Sequence, residues 1–263
     1  MKIMTFNLRC DFIFDFKNRW DNRKGIAFNI LKSYKCDIIG LQEVTNKMFI
    51  DIKNNMEDYY VIGDPRSKRL FVERNDILIS KKYKVVDFKT FWLSEKPDKI
   101  GSSKWYSLFP RICTTAIVEI EEGSKVRICN THLDCLLPNG REYGLRKVVE
   151  YIEMEQEKEY LPIILMGDFN ATPESKVIKE FKDGKYYDKK LIAAQEHNKE
   201  IYKHTTMSMF KGKEKGMHID YIFVSEDIDI SEVKIIKDNL NGKYPSDHYP
   251  LMCEINLKTL HNS

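Results

Sequence analysis

The sequence predicts a mixed α/β fold, two packed sheets with helices on the outside, and three observations carry that prediction. Strand-length apolar runs alternate with helix-period segments early in the chain, and the middle and end carry strand pairs. No repeat, low-complexity tract or linker interrupts the 263 residues, so one domain is expected over 1–263. Hydrophobic residues make up 42% and charged residues 32%, enough for a large core and too mixed for a disordered chain.

The elements follow in order. Lys2–Asn7 (KIMTFN) reads as a strand, and Trp20–Tyr34 sets Ile26, Ile30 and Leu31 on one helical face. Residues 37–43 (DIIGLQE) read as a strand and residues 46–56 as a helix. Strands are predicted at Tyr59–Ile62, Ile77–Ser80 and residues 84–93. Residues 111–121 and 125–133 resemble a hairpin around Glu122-Gly123-Ser124. A long charged helix over 140–158 precedes an apolar strand at 162–166, and the last strands are predicted at 219–224, 232–237 and 250–257.

Charge and cysteines narrow the class. With 43 basic and 40 acidic residues the net charge is +3, too mild by itself to argue for nucleic acid. The basic run from Arg66 to Lys104 reads first as a solvated surface. Six cysteines form no C-x-x-C pair; Cys10, Cys113, Cys129 and Cys253 lie in or beside apolar strands, as buried thiols of a reducing compartment do. The N-terminus enters a strand without an apolar leader, and no apolar run approaches the roughly 20 residues of a membrane span. A cytoplasmic protein without a membrane segment, acting as a monomer, is the expectation.

Polar residues collect where strands end, which is where α/β proteins build sites. Asn7 and Glu43 close their strands, and His132 lies near the end of its own. Asp168 and Asn170 follow an apolar strand; two apart in extended chain, they would project the same way. Asp247 and His248 precede the last strand, whereas Asp220 lies inside HIDYIFV, where a buried carboxylate needs a partner. Each has an ordinary structural reading as a turn, cap or core residue, and the argument rests on the set. Carboxylates, amides and histidines together suit a magnesium-type ion, which takes a few carboxylate oxygens and leaves room for water and phosphate. A His–Asp pair adds acid–base or electrostatic help. His197, His204, His218 and His261 lack such context and read as structural. No G-x-x-x-x-G-K-S/T loop, G-x-G-x-x-G, H-E-x-x-H, G-x-S-x-G elbow or zinc-type cysteine spacing is present.

MTFNLR, IIGLQEV, NTHLD, MGDFNATP, HIDYIFVS and SDHYPL occur in one order across nearly the whole chain. In these segments the sequence resembles the endonuclease/exonuclease/phosphatase superfamily, and FWLSEKP at 91–97 followed by Pro110-Arg111 is similar to a bacterial branch of it. The resemblance implies a four-layer α/β/β/α sandwich of the deoxyribonuclease I type and divalent-metal-dependent phosphoester hydrolysis with Mg²⁺ or Mn²⁺. By resemblance, Glu43 is the principal metal ligand, with Asn7 and Asp247 close to the ion. Asp168 and Asn170 position and activate water. His248, oriented by Asp220, sits against the scissile phosphate, and His132 binds another phosphate oxygen. Glu73 is the acidic partner expected for His132, although Arg74 departs from the aromatic residue usual after it, and Arg111 offers a bidentate phosphate contact. The general base is Asp168 or His248; Asp168 is preferred. The substrate is a small phosphorylated metabolite by elimination. A nuclease, or a non-catalytic binder on the same fold, are the alternatives. The polar 183–216 loop matches nothing in the family and is expected to shape the cleft.

Overall fold

The computed structural model describes residues 1–68, 72–105, 107, 109–121, 123–187 and 190–258. Glu122 of the expected hairpin, Phe71 and His261 lie outside the described residues. In chain order the elements are β1 (Lys2–Asn7), α1 (Trp20–Tyr34), β2 (Ile38–Gln42), β3 (Val44–Thr45), α2 (Asn46–Asn55), β4 (Tyr59–Ile62), β5 (Glu73–Arg74), β6 (Ile77–Ser80) and β7 (Lys84–Trp92). They continue with β8 (Ile112–Glu121), β9 (Ser124–His132), α3 (Pro138–Lys158), β10 (Ile163–Asp168), α4 (Lys176–Lys182), β11 (Ile192–Ala193), β12 (Asp220–Val224), β13 (Ile228–Ile235) and β14 (Leu251–Leu257). Two 3-10 segments, Ile13–Asn18 and Ala194–Lys203, complete the set.

The strands form two six-stranded sheets, ordered β13-β14-β1-β2-β6-β4 and β11-β12-β10-β9-β8-β7, and β3 pairs with β5 in a small ribbon. Alternation along β1 shows why the layers stack. Ile3 faces the core between the sheets, while Met4 and Phe6 face α1 and α2. On the second sheet, Ile164 and Met166 point to the inter-sheet core, and Ile163 and Leu165 point to α3 and α4. Full burial of side chains of this size is worth about 1.5–3 kcal/mol each. The four-layer sandwich is therefore as expected.

Helix ends follow local chemistry. The Thr45 side chain caps α2 by accepting the Met48 N–H, and Pro138 opens α3, where a missing N–H costs nothing. Trp20 locks α1 to α2 by donating its indole N–H to Asp51 at 2.8 Å. Each sheet has one parallel pair at its centre, β1 with β2 and β9 with β10. Their carboxyl ends fall at Asn7, Gln42, His132 and Asp168, all at one end of the sandwich. A buried polar bridge clamps the sheets just behind that edge: Gln42 Nε2 donates to Asn130 Oδ1 at 2.6 Å, and Asn130 Nδ2 donates to the carbonyls of Leu41 and Asp76 at 2.9 Å.

Three expectations shift. The strand expected at 232–237 runs Ile228–Ile235, because a register shift between Ile230 and Glu232 breaks its alternation. The basic run is no single solvated face, since Arg66 and Arg74 are buried. The 183–216 segment is also not all cleft. Ala194 and Ile201 join the inter-sheet core, whereas Met209 N–H donates to the Asp247 carbonyl at 2.9 Å. Residues 188 and 189 of that segment lie outside the described residues. Among the described residues no helix is long and apolar enough to cross a membrane. Cys36, Cys113, Cys129 and Cys253 are buried free thiols, Cys10 is partly buried and Cys135 is exposed.

Candidate active site

At the edge where the parallel pairs end, Asn7 links two carboxylates. Its Nδ2 donates to Glu43 Oε1 at 3.0 Å and to Asp168 Oδ2 at 3.0 Å, while its Oδ1 accepts the Arg9 N–H at 2.8 Å. In this arrangement Asn7 is a bridging donor. Glu43 follows β2 in a left-handed backbone conformation, φ 59°, which turns its carboxylate back over the β1 end. Cys10 N–H donates to Glu43 Oε2 at 3.0 Å. Burial penalises the Glu43 carboxylate, yet facing His132, the Cys10 and Asn7 donors and Arg9 hold it at about 2. His132 is itself driven well below the usual imidazole range by burial and by Arg111, so the N–H donors and Arg9 are the durable part of that balance.

Gly167 sets Asp168 in place. With φ at 148° a Cβ here would lie 1.9 Å from the Thr131 carbonyl oxygen, so the two strand backbones approach in a way only glycine permits. Asp168 then pairs in register with both His132 and Asp220. Asp220 is thus no exception to the strand-end rule: it opens β12, and the antiparallel pairing returns it to the same edge. Asp220 Oδ2 lies 2.9 Å from His248 Nδ1. The other oxygen, Asp220 Oδ1, is buried without a hydrogen-bond partner. His248 Nε2 stands 3.8 Å from Asp168 Oδ2, and His132 Nε2 stands 3.7 Å from that same oxygen. Asp168, Asp220 and His248 bring ligand-type atoms within 4.8 Å of one another, a buried cluster of donor groups.

These contacts sort the charges. Burial opposes a charged His248, but Asp220 and Asp168 outweigh it and hold the imidazole well above its usual range. Burial and the neighbouring Asp220 carboxylate lift Asp168 to about 7. Asp247 is raised by burial and by Glu43. These shifts favour the charged form of His248 and the protonated form of Asp168, with the carboxyls of Glu43 and Asp247 acting on each other nearby.

Not every expectation survives. Asn170 leaves the strand at φ 50°, so it does not project alongside Asp168. It is a turn residue, its N–H donating to Asp168 Oδ1 at 2.8 Å and its Nδ2 to the Leu133 carbonyl at 3.1 Å. Glu73 does not pair with His132; it accepts from Arg66 Nη2 at 2.9 Å. The reason is the β3–β5 ribbon, which sets Glu73 opposite Thr45 and folds Arg66 back over it. Arg111 is buried just before β8, with Nη2 3.3 Å from Cys135 Sγ and Nε without a hydrogen-bond partner among the described residues. His218 is a satisfied core residue between Gln195 and the His204 carbonyl.

Three contributors escaped the sequence reading. Arg23 donates to the carbonyls of Leu8, Arg9, Cys10 and Pro245, tying the loop after β1 to the loop carrying Asp247. Its signal was present, a charged residue on the buried α1 face of Trp20, Ala27 and Ile30. Ser246 donates to the Asn7 carbonyl at 2.7 Å and fixes the following Asp247-His248 pair. Arg66 lies in an irregular segment, where no periodicity could have marked it. A cavity of about 710 Å³ lined by Lys35, Asp37, Tyr59 and Lys82 opens at the opposite strand ends and holds none of these groups.

Amides, acids and histidines converge where the parallel strands of the two-sheet sandwich end, and the family match assigns that arrangement to the phosphoesterases. The family model of the Endonuclease/Exonuclease/phosphatase family matches residues 4–248, and the chain belongs to that family. A mannosyl-6-phosphatase from Bacteroides thetaiotaomicron superposes with TM-score 0.87 at 24% identity, over 98% of this chain and 100% of that one. The human nocturnin catalytic domain, solved with a bound sulfate, has TM-score 0.75 at 18% identity, covering 98% of this chain and 94% of its own. An uncharacterized protein from Acanthamoeba polyphaga mimivirus is 30% identical over 190 residues, 65% of this chain and 67% of that protein.

Proposed function

We propose that this chain is a divalent-metal-dependent hydrolase of a small phosphomonoester, a phosphorylated metabolite of the sugar phosphate kind. The observation that carries the reading is the unbroken chain of contacts from Glu43 through Asn7 to Asp168, with His248 and Asp220 beside it. A mannosyl-6-phosphatase of the same fold supports the substrate class, as does a net charge too small for a strand-binding surface.

The donor set fits a hard dication. Glu43 is an ionised oxygen donor facing Asp247, whose charge Glu43 destabilises, and a cation between them is what would relieve that repulsion. Glu43 would hold Mg²⁺ or Mn²⁺, with Asp247 and Asn7 beside it. The ion, when bound, supplies charge neutralisation at a phosphoryl oxygen and the leaving oxygen. Asp168, the preferred base, takes the proton of a water held near Asn7. The water oxygen bonds to phosphorus as the bond to the leaving oxygen breaks, and the leaving alkoxide takes a proton from solvent. Cationic His248 stabilises the charge gathering on the phosphoryl oxygens, and Arg111 Nε and neutral His132 hold the phosphate.

The test is turnover of purified protein with Mg²⁺ or Mn²⁺ on hexose 6-phosphates, p-nitrophenyl phosphate, a phosphodiester, plasmid DNA and short RNA. Hydrolysis of a monoester, abolished by EDTA and lowered at least about 100-fold in His248→Ala, supports the reading. Plasmid or RNA cleavage at equal or better efficiency would replace it with a nuclease. Metal binding without any hydrolysis would replace it with a binder.

A further inference from the structure

One buried charge pair beside the site has no part in the hydrolytic step. Arg66 is 4% exposed, and its backbone is pinned at both ends. Its N–H donates to the Glu73 carbonyl at 2.9 Å, and its carbonyl accepts the Trp92 indole N–H at 2.7 Å. The guanidinium lies 4.7 Å from the Phe109 ring centroid and donates to Glu73 Oε1 at 2.9 Å. Burying such a pair costs desolvation that its attraction rarely returns in full, so the fold alone gives little reason for it.

Its position is informative. Glu73 faces Thr45 across the β3–β5 ribbon, two residues beyond Glu43. Burial lifts the Glu73 carboxyl to about 7; Arg66, Arg111 and Arg9 oppose that and Glu43 adds to it, so all four charges lie near it. Only Oε1 is engaged; Oε2 has no hydrogen bond among the described residues, and the side chain keeps 16% of its surface open. Near those charges therefore stands a partly open carboxyl oxygen, held by a guanidinium that itself lies over the Phe109 ring. A second phosphate or a nucleic-acid backbone would meet the Glu73 charge directly, and an apolar leaving group would strand it. A hydroxyl suits that carboxyl oxygen in either protonation state, donating to the carboxylate or accepting from the carboxylic acid.

We propose that Glu73, held in place by Arg66, forms the leaving-group subsite, gripping a hydroxyl of a sugar or similar polyol whose phosphate lies against Arg111 and His132. This rests on the phosphomonoester reading above. It makes the pair a specificity device, with no share in bond breaking.

The experiment compares kcat/KM on mannose 6-phosphate with kcat/KM on p-nitrophenyl phosphate, in Mn²⁺, for wild type, Glu73→Gln and Arg66→Lys. Losing one charged hydrogen bond to a hydroxyl lowers the sugar-to-aryl ratio at least about tenfold in Glu73→Gln, through KM on the sugar substrate. Arg66→Lys, which keeps the buried charge, lowers the ratio in the same direction and serves if Glu73→Gln does not fold. If wild type turns over both esters and both variants keep the wild-type ratio, the subsite is wrong and the phosphomonoester reading stands. If wild type turns over neither ester but cleaves nucleic acid, both fall.

Discussion

Replacing Asp220 by asparagine removes one charge from the middle of the site while keeping its shape. In the native protein Asp220 Oδ2 lies 2.9 Å from His248 Nδ1, and both side chains are buried. A charge-assisted hydrogen bond of this kind is worth about 1.5–3 kcal/mol, which corresponds to roughly 10- to 150-fold in rate if it is expressed in the transition state. Asp220 is also the largest influence raising His248, against the opposing effect of burial. In Asp220→Asn the alkaline limb of the kcat/KM profile should therefore move to lower pH, as the imidazolium is lost earlier. Stability follows the same sign. A histidine whose folded value is raised contributes stability in full below about pH 6.5, and loses it as pH rises through the folded value. The stability deficit of the variant should thus be greatest in mild acid and shrink toward alkaline pH. The assays are a pH–rate profile with a phosphomonoester and urea melts across the same range. An alkaline limb that stays in place, with a rate within threefold of wild type, would refute this account of His248.

Other predictions concern the scaffold and the ion. Gly167→Ala should cost about 2–5 kcal/mol in guanidinium melts, from the clash with the Thr131 carbonyl and the positive φ; a midpoint equal to wild type would contradict the backbone approach. Arg23→Met leaves five carbonyls, of Leu8, Arg9, Cys10, Asn18 and Pro245, without their donor and should destabilise by at least about 2 kcal/mol while lowering kcat. Native stability with full activity would show that the loops hold themselves. Mn²⁺ at a hundred times its dissociation constant should stabilise the protein by about 2.7 kcal/mol in a thermal melt. Glu43→Gln should erase that gain, and an unaltered Mn²⁺ shift in the variant would place the ion elsewhere.

Legibility in the sequence tracked burial. β1, α1 and β6 fall where periodicity puts them because each is largely buried, and the half-buried β4 falls in place beside β6. α4 and both 3-10 segments were unmarked, since α4 is only two turns long and each 3-10 segment is broken by a non-helical residue, Phe16 or Asn198. At the site, Asn7, Glu43, His132, Asp168, Asp220, Asp247 and His248 do come together, because strand ends deliver them to one edge. What failed was orientation. The positive φ of Asn170 and the return of the Arg66 segment over β5 are set by tertiary contacts that no residue spacing encodes.

The candidate site residues are divided between the two sheets. Asn7, Glu43 and His248 ride on one, and His132, Asp168 and Asp220 ride on the other. The Asn7–Asp168 and His248–Asp220 contacts are rivets driven across the seam, and Gln42 with Asn130 forms a third just behind them. A small slip of one sheet over the other across the intervening core would separate these groups while every strand keeps its ladder. Turnover should accordingly fade at denaturant concentrations where circular dichroism still reports intact sheets, which makes the enzyme's rate a caliper for the spacing of its own layers.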